Sequence, residues 1–102
     1  NKVCVFLENH FAESITLKQV ADLIHLTESN FCNFFKKATG KTFSDYLNII
    51  RITRSCQLLL QTDKTINSIA FECGFETLSY FNRVFLKKKG LTPKEFRKSN
   101  LL

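Results

Sequence analysis

The feature that most limits how this chain can fold is that it repeats itself. Leu17, Val20, Ala21, Ile24 and Leu26 recur as Ile66, Ile69, Ala70, Cys73 and Phe75, each 49 residues later. After one inserted residue, Phe31, Phe35, Lys37, Gly40, Thr42 and Tyr46 recur as Phe81, Phe85, Lys87, Gly90, Thr92 and Phe96, each 50 residues later. A fixed offset between chemically matched positions marks a duplicated structural unit. Amphipathic helices in general share apolar spacing, but that alone does not explain the paired glycines and threonines.

Each copy has the periodicity of two helices and a tight connection. Leu17, Val20, Ala21 and Ile24 follow i, i+3, i+4, i+7 spacing, and Thr16 with Gln19 forms a capping box, which predicts a short helix over about 17–24. A second helix starts from Thr27 as N-cap, turns Phe31, Phe34, Phe35 and Ala38 inward, and stops at Gly40. In the second copy the first helix is predicted over about 66–73, Gly74 lies in the turn, and a helix over about 77–89 buries Phe81, Val84 and Phe85. The small Ala21 and Ala70 let each helix pair cross closely. Two helices joined by a turn of three or four residues form a helix-turn-helix.

Between the copies, Thr42 and Asp45 predict another capping box and a helix over 43–61 carrying Tyr46, Leu47, Ile50, Leu58 and Leu59. Such a helix is roughly 28 Å long and holds the two units nearly one turn of DNA apart, since major-groove faces repeat at roughly 34 Å. Thr92, Pro93 and Glu95 open a final short helix ending near Lys98, and Val3, Phe6, Leu7 and His10 are spaced for an initial helix covering the first unit. The expected organisation is all-α: a first unit over 1–42, a linker helix over 43–61 and a second unit over 62–102.

The 15 Lys and Arg against 9 Asp and Glu give a net charge of +6, which favours a polyanionic partner. No apolar run approaches the roughly 18 residues that would span a bilayer, and no segment resembles a signal peptide, so a soluble, cytoplasmic protein is expected. Cys4, Cys32, Cys56 and Cys73 are far apart and His10 and His25 offer no zinc-ligand spacing, so reduced thiols and no metal or cofactor are expected. With asparagine first and no methionine, the chain is expected to be a piece of a longer or processed protein.

These residues resemble the AraC/XylS family of bacterial transcription regulators. Ile69-Ala70, Gly74-Phe75, Ser79-Tyr80-Phe81, Arg83-Val84-Phe85, Lys87-Lys88, Gly90, Thr92-Pro93 and Phe96-Arg97 are similar to the family signature. The first unit matches through Leu17, Val20-Ala21, Phe35-Lys36-Lys37, Thr39-Gly40 and Tyr46-Leu47. The resemblance implies seven helices, homeodomain-like units and insertion of both recognition helices into successive major grooves. It also implies control of transcription through contact with RNA polymerase.

A recognition helix needs one face packed on its own unit and the opposite face free for base edges. With Phe31, Phe35 and Ala38 inward, that free stripe is Ser29, Cys32, Asn33 and Lys36. With Phe81, Val84 and Phe85 inward, it is Ser79, Asn82, Arg83 and Leu86, with Leu78 beside it. Asn33 and Asn82 have the side chain for bidentate pairing with adenine, and Arg83 for guanine. Arg83 has a competing role in ion pairing with Glu72 or Glu76, and either asparagine has one as a solvated surface residue. Ser29 and Ser79 discriminate weakly, while Cys32 and Leu86 are suited at most to a thymine methyl. Lys36, Lys37, Lys87 and Lys88 are the candidate phosphate contacts, together with amides at helix N-termini. The alternative for Lys87-Lys88-Lys89 is a solvated helix end favoured by the helix dipole.

Two functions compete on this basis. One is sequence-specific binding of double-stranded DNA, in a regulator whose other domain senses a signal or dimerises. The other is a helical protein-interaction module that docks an acidic partner on its basic face. The polar groups retained on both stripes favour the first. An enzyme is not expected, because no nucleophile with a base, no paired carboxylates and no phosphate-binding glycine loop are evident. Most of the 11 phenylalanines sit at buried helical positions and are expected in the core.

Overall fold

The structure, a computed structural model, describes residues 2–100. Seven helices follow in order: α1 (Lys2–His10), α2 (Leu17–Leu23), α3 (Glu28–Thr39), α4 (Phe43–Gln61), α5 (Ile66–Glu72), α6 (Leu78–Lys89) and α7 (Pro93–Ser99). There is no strand among the described residues.

Threonine starts every helix after the first. Thr16, Thr27, Thr42, Thr65, Thr77 and Thr92 have extended backbone, and each side-chain oxygen accepts the N–H three residues on. Each such cap contributes about 0.5–2 kcal/mol by satisfying an amide that the helix leaves unpaired. The reciprocal bond of a full capping box forms at Thr16/Gln19 and Thr92/Glu95. The box expected at Thr42/Asp45 is only half made, because the Asp45 carboxylate turns to the ammonium of Lys88 on α6 instead. Gly40 and Gly90, 50 residues apart, end α3 and α6 in the left-handed conformation.

Two hydrophobic cores result, and α4 serves both. Leu47 joins Val3, Leu7, Val20, Ala21, Phe31 and Phe35 in the first. Ile52, Leu58 and Leu59 join Ile69, Ala70, Cys73, Phe75, Phe81, Val84 and Phe85 in the second. The repeat therefore overlaps: α1 to α4 and α4 to α7 are successive four-helix groups sharing one helix.

Two expected core positions of α3 are not buried. Phe34 is 45% exposed, and Ala38 is exposed. On a helix turning about 100° per residue, Phe34 lies some 80° from the midline between Phe31 and Phe35. What lies opposite therefore decides its fate. Its counterpart Val84 is 7% exposed, in the notch that α6 forms with Asp45 and Asn48 of α4. Phe34 instead borders an open groove lined by Lys2, Val3, Ile24 and Leu26. Ala38 sits in the last turn, beyond the reach of the core.

Two arginines fasten segments far apart in sequence to α4. Arg97 on α7 donates to the carbonyls of Leu59 and Thr62 at 3.0 and 3.1 Å, closing the C-terminal end of α4. Arg51 on α4 does the same for the segment after α1, donating to Phe11 O at 2.8 Å and Glu13 O at 3.0 Å. Burial pulls the Arg51 pKa below that of a free guanidinium, although the charge remains. The molecule measures 47 × 23 × 21 Å along its principal axes.

Candidate nucleic-acid interface

The second helix of each pair is held by its phenylalanines. Phe31 and Phe35 on α3 pack at 5.4 Å between ring centroids, and Phe81 and Phe85 on α6 at 5.7 Å. All four rings are at most 1% exposed, so the rotation of each helix about its axis is set by burial. Burying each ring is worth about 1.5–3 kcal/mol, far more than a surface contact could oppose.

The opposite faces are open. Ser29, Cys32, Asn33 and Lys36 on α3 are exposed, as are Ser79, Asn82, Arg83 and Leu86 on α6. Leu78 is only half-exposed and packs against the second core, which makes it part of the support for the stripe as well as its edge. Lys36 and Lys37 close α3, and Lys87, Lys88 and Lys89 close α6. The carbonyl end of each helix favours these cations.

Arg83 does not make the ion pairs its sequence neighbours suggested. The Glu72 carboxylate is held by Lys64 at 2.8 and 2.9 Å. The Arg83 guanidinium lies 5.1 Å from the centre of the Tyr80 ring, stacked rather than neutralised. Tyr80 in turn accepts a hydrogen bond from Asn48 Nδ2 at 3.0 Å. Lys88 is less free than Lys87, since its ammonium is paired with Asp45 and its side chain is 23% exposed.

Asn48, Arg51 and Tyr80 escape a search for exposed polar stripes, because their work is done between helices far apart in sequence. The available signal is an arginine within the apolar pattern of the linker helix, between Ile50 and Ile52. Among the described residues no group of His, Cys, Asp and Glu could hold a metal ion, and no two cysteines form a disulfide. No helix of the described residues is long and apolar enough to cross a membrane.

Two equivalent helix-turn-helix groups on a shared helix, each with an open polar stripe and basic residues at its end, define a double helix-turn-helix DNA-binding domain of the kind that transcription regulators carry. A helix-turn-helix domain family model matches residues 20–99. The transcriptional activator RhaS of Enterobacter sp. (strain 638) is 34% identical over 97 residues, which are 95% of this chain and 35% of RhaS. The C-terminal domain of the two-component response regulator yesN from Fusobacterium nucleatum superposes with a TM-score of 0.89 at 31% identity, covering 93% of each chain. The DNA-binding domain of AdpA, solved in complex with a target DNA, has the same fold, with a TM-score of 0.90 at 22% identity over 95% of this chain and 87% of that one. The chain belongs to the AraC/XylS family of transcription regulators and is its sequence-specific DNA-binding domain. It spans about a third of the length of RhaS.

Proposed function

We propose that α3 and α6 enter successive major grooves on one face of double-stranded DNA and read an asymmetric site. The observation that carries this is the pair of open stripes on equivalent helices, presented by one shared helix of 19 residues. The molecule's 47 Å length spans adjacent grooves, which repeat at roughly 34 Å. Asn33 and Asn82 are assigned to adenine and Arg83 to guanine, with Ser29, Cys32, Ser79 and Leu78 filling the contact surface. Lys36, Lys37 and Lys87 are assigned to phosphates, and Lys88 to phosphate only in addition to its pairing with Asp45. Because the two stripes differ in sequence, one chain distinguishes the two halves of its site without a symmetric partner.

In the full-length protein this domain works in the cytoplasm beside a further domain that senses a signal or dimerises, and it acts on transcription through RNA polymerase. The share of RhaS covered by the match leaves room for such a domain. Selection from a random DNA pool tests the DNA reading: two short boxes about 10 base pairs apart are expected. A pool that shows no enrichment overturns it.

A further inference from the structure

We infer that Arg51 is the positioning residue that locks the two helix-turn-helix groups at one mutual rotation and so sets the spacing between half-sites that the domain accepts. This rests on the DNA-reading function proposed above and adds a device to it. Arg51 projects from the middle of α4, where the two groups abut. Its Nε and Nη2 donate to Phe11 O and Glu13 O in the α1–α2 connection of the first group. The same guanidinium lies 5.9 Å from the centre of the Phe75 ring, in the turn of the second group. One planar cation thus touches both halves at once.

The backbone is shaped to permit this contact. Gly74, at the centre of the second turn, has φ +98°, and a Cβ there would stand 2.7 Å from Phe11 O, 2.9 Å from Arg51 Nε and 3.0 Å from Ala12 Cα. The equivalent position of the first turn is His25, also left-handed at φ 58°, and its side chain is exposed. Both turns need positive φ, but only the second is pressed against the other half of the molecule. The glycine there is required by close approach as well as by conformation. A cleft lined by Ser14, Ile15, Thr16, Arg51, Gly74 and Tyr80 continues this seam toward the start of α2.

A hinge at this seam would change the angle between the recognition helices, because α4 belongs to both cores but the α1–α2 connection touches the second turn directly. DNA reports such an angle, since each base pair inserted between half-sites rotates one groove relative to the other by about 36° at 10–10.5 base pairs per turn.

The test uses this chain with Arg51→Met, which keeps length and loses the donors and the charge, and Gly74→Asn, which drives a side chain into the seam with the residue type that, after glycine, most often adopts positive φ. Binding is measured to the selected site with spacers altered by one and two base pairs in each direction. Wild type is expected to lose about 10- to 100-fold on a one-base-pair change, equal to one lost bidentate contact. In both variants that penalty is expected to shrink to a few-fold or the optimum to move, with the same two boxes still selected. Residual dipolar couplings on DNA-free protein give a second measure: one alignment tensor fits the α2–α3 and α5–α6 pairs in wild type, and different tensors are needed in the variants. If Arg51→Met is folded and keeps both the wild-type spacing profile and a single tensor, the inference is overturned. Should Arg51→Met fail to fold, Gly74→Asn decides by the same criteria. If the wild type selects no DNA sequence, the DNA reading fails instead, and the couplings alone decide whether Arg51 locks the halves.

Discussion

The Tyr80 hydroxyl accepts a hydrogen bond from Asn48 Nδ2 at 3.0 Å, which fastens the second recognition helix to the shared helix at the point where its reading face begins. The same ring carries the Arg83 guanidinium at 5.1 Å and packs against Phe75 with centroids 5.9 Å apart. Arg83 is therefore presented to solvent from a partly preset position. Tyr80→Phe keeps the ring and removes the bond, with an expected loss of about 0.5–1.5 kcal/mol in stability and no change in the selected motif. Tyr80→Ala also removes the stack and is expected to weaken base preference in the Arg83 box by about 0.5–1 kcal/mol. Thermal unfolding and pool selection on the two variants separate these effects. Equal motifs for Tyr80→Ala and wild type would show that the stack positions nothing.

The two exposed stripes differ, so single substitutions should act on single boxes. Asn33→Ala is expected to relax one box and Arg83→Ala the other, each by about 1–3 kcal/mol for a lost bidentate contact. Competition binding with every single-base variant of the selected site measures this. The assignment of readers is wrong if both variants keep the wild-type preference at every position.

Phosphate contacts are checked by salt. Neutralising about six phosphates gives a slope near −5 in log affinity against log salt. Lys36→Ala and Lys87→Ala should each lower the magnitude by about 1. Lys88→Ala should change it less, because Asp45 already holds that ammonium. A flat wild-type response would remove the phosphate clamp altogether.

Cys32 provides a chemical footprint of the first stripe. It is exposed, whereas Cys73 is buried and its thiol is pushed up to about 11, chiefly by burial. A bulky maleimide at neutral pH is expected to label Cys32 and spare Cys73, with DNA of the selected sequence slowing the reaction at Cys32 and the labelled protein losing affinity. Mass spectrometry with and without DNA reads the outcome. Labelling of Cys32 at the same rate in both would place that face away from DNA.

The Lys88 pairing holds the Asp45 carboxyl below the usual carboxylate range. A lowered folded-state pKa contributes stability that is complete above the unfolded value of about 3.9 and is lost as pH falls through the folded one. Asp45→Asn should therefore cost about 0.2–1 kcal/mol near neutral pH, as expected for a partly exposed pair. The difference from wild type should close as pH falls below about 4, followed by denaturant unfolding across pH. A difference that persists at lower pH would point to lost hydrogen bonding rather than lost charge.

Much of this was legible in the sequence because it is local. Thr16, Thr27, Thr42 and Thr92 start helices by reaching three residues ahead, as their spacing predicts, and Gly40 and Gly90 end helices within one turn, while the same role of Thr65 and Thr77 emerges from the structure. Such signals depend on neighbours a few residues away. Phe34 flanks the apolar stripe at period 3.6, yet it is exposed, because burial depends on the element opposite, and only its counterpart Val84 has α4 there. Asp45 has the right spacing for a capping box, but a lysine 43 residues away competes for the carboxylate. Which of two partners wins a carboxylate is a question of distance in space.

The 49–50 residue repeat by itself determined that two like units exist, where their helices begin and end, and which faces carry polar groups, since periodicity and capping are properties of consecutive residues. Tertiary structure decided how the units share α4 and meet each other. The Arg51 guanidinium bridges carbonyls 40 and 38 residues away and reaches a turn on the other side, and Gly74 is kept free of a Cβ by backbone atoms of the opposite half. Contacts of that range leave no period in the sequence, because they depend on where the packed cores bring distant segments.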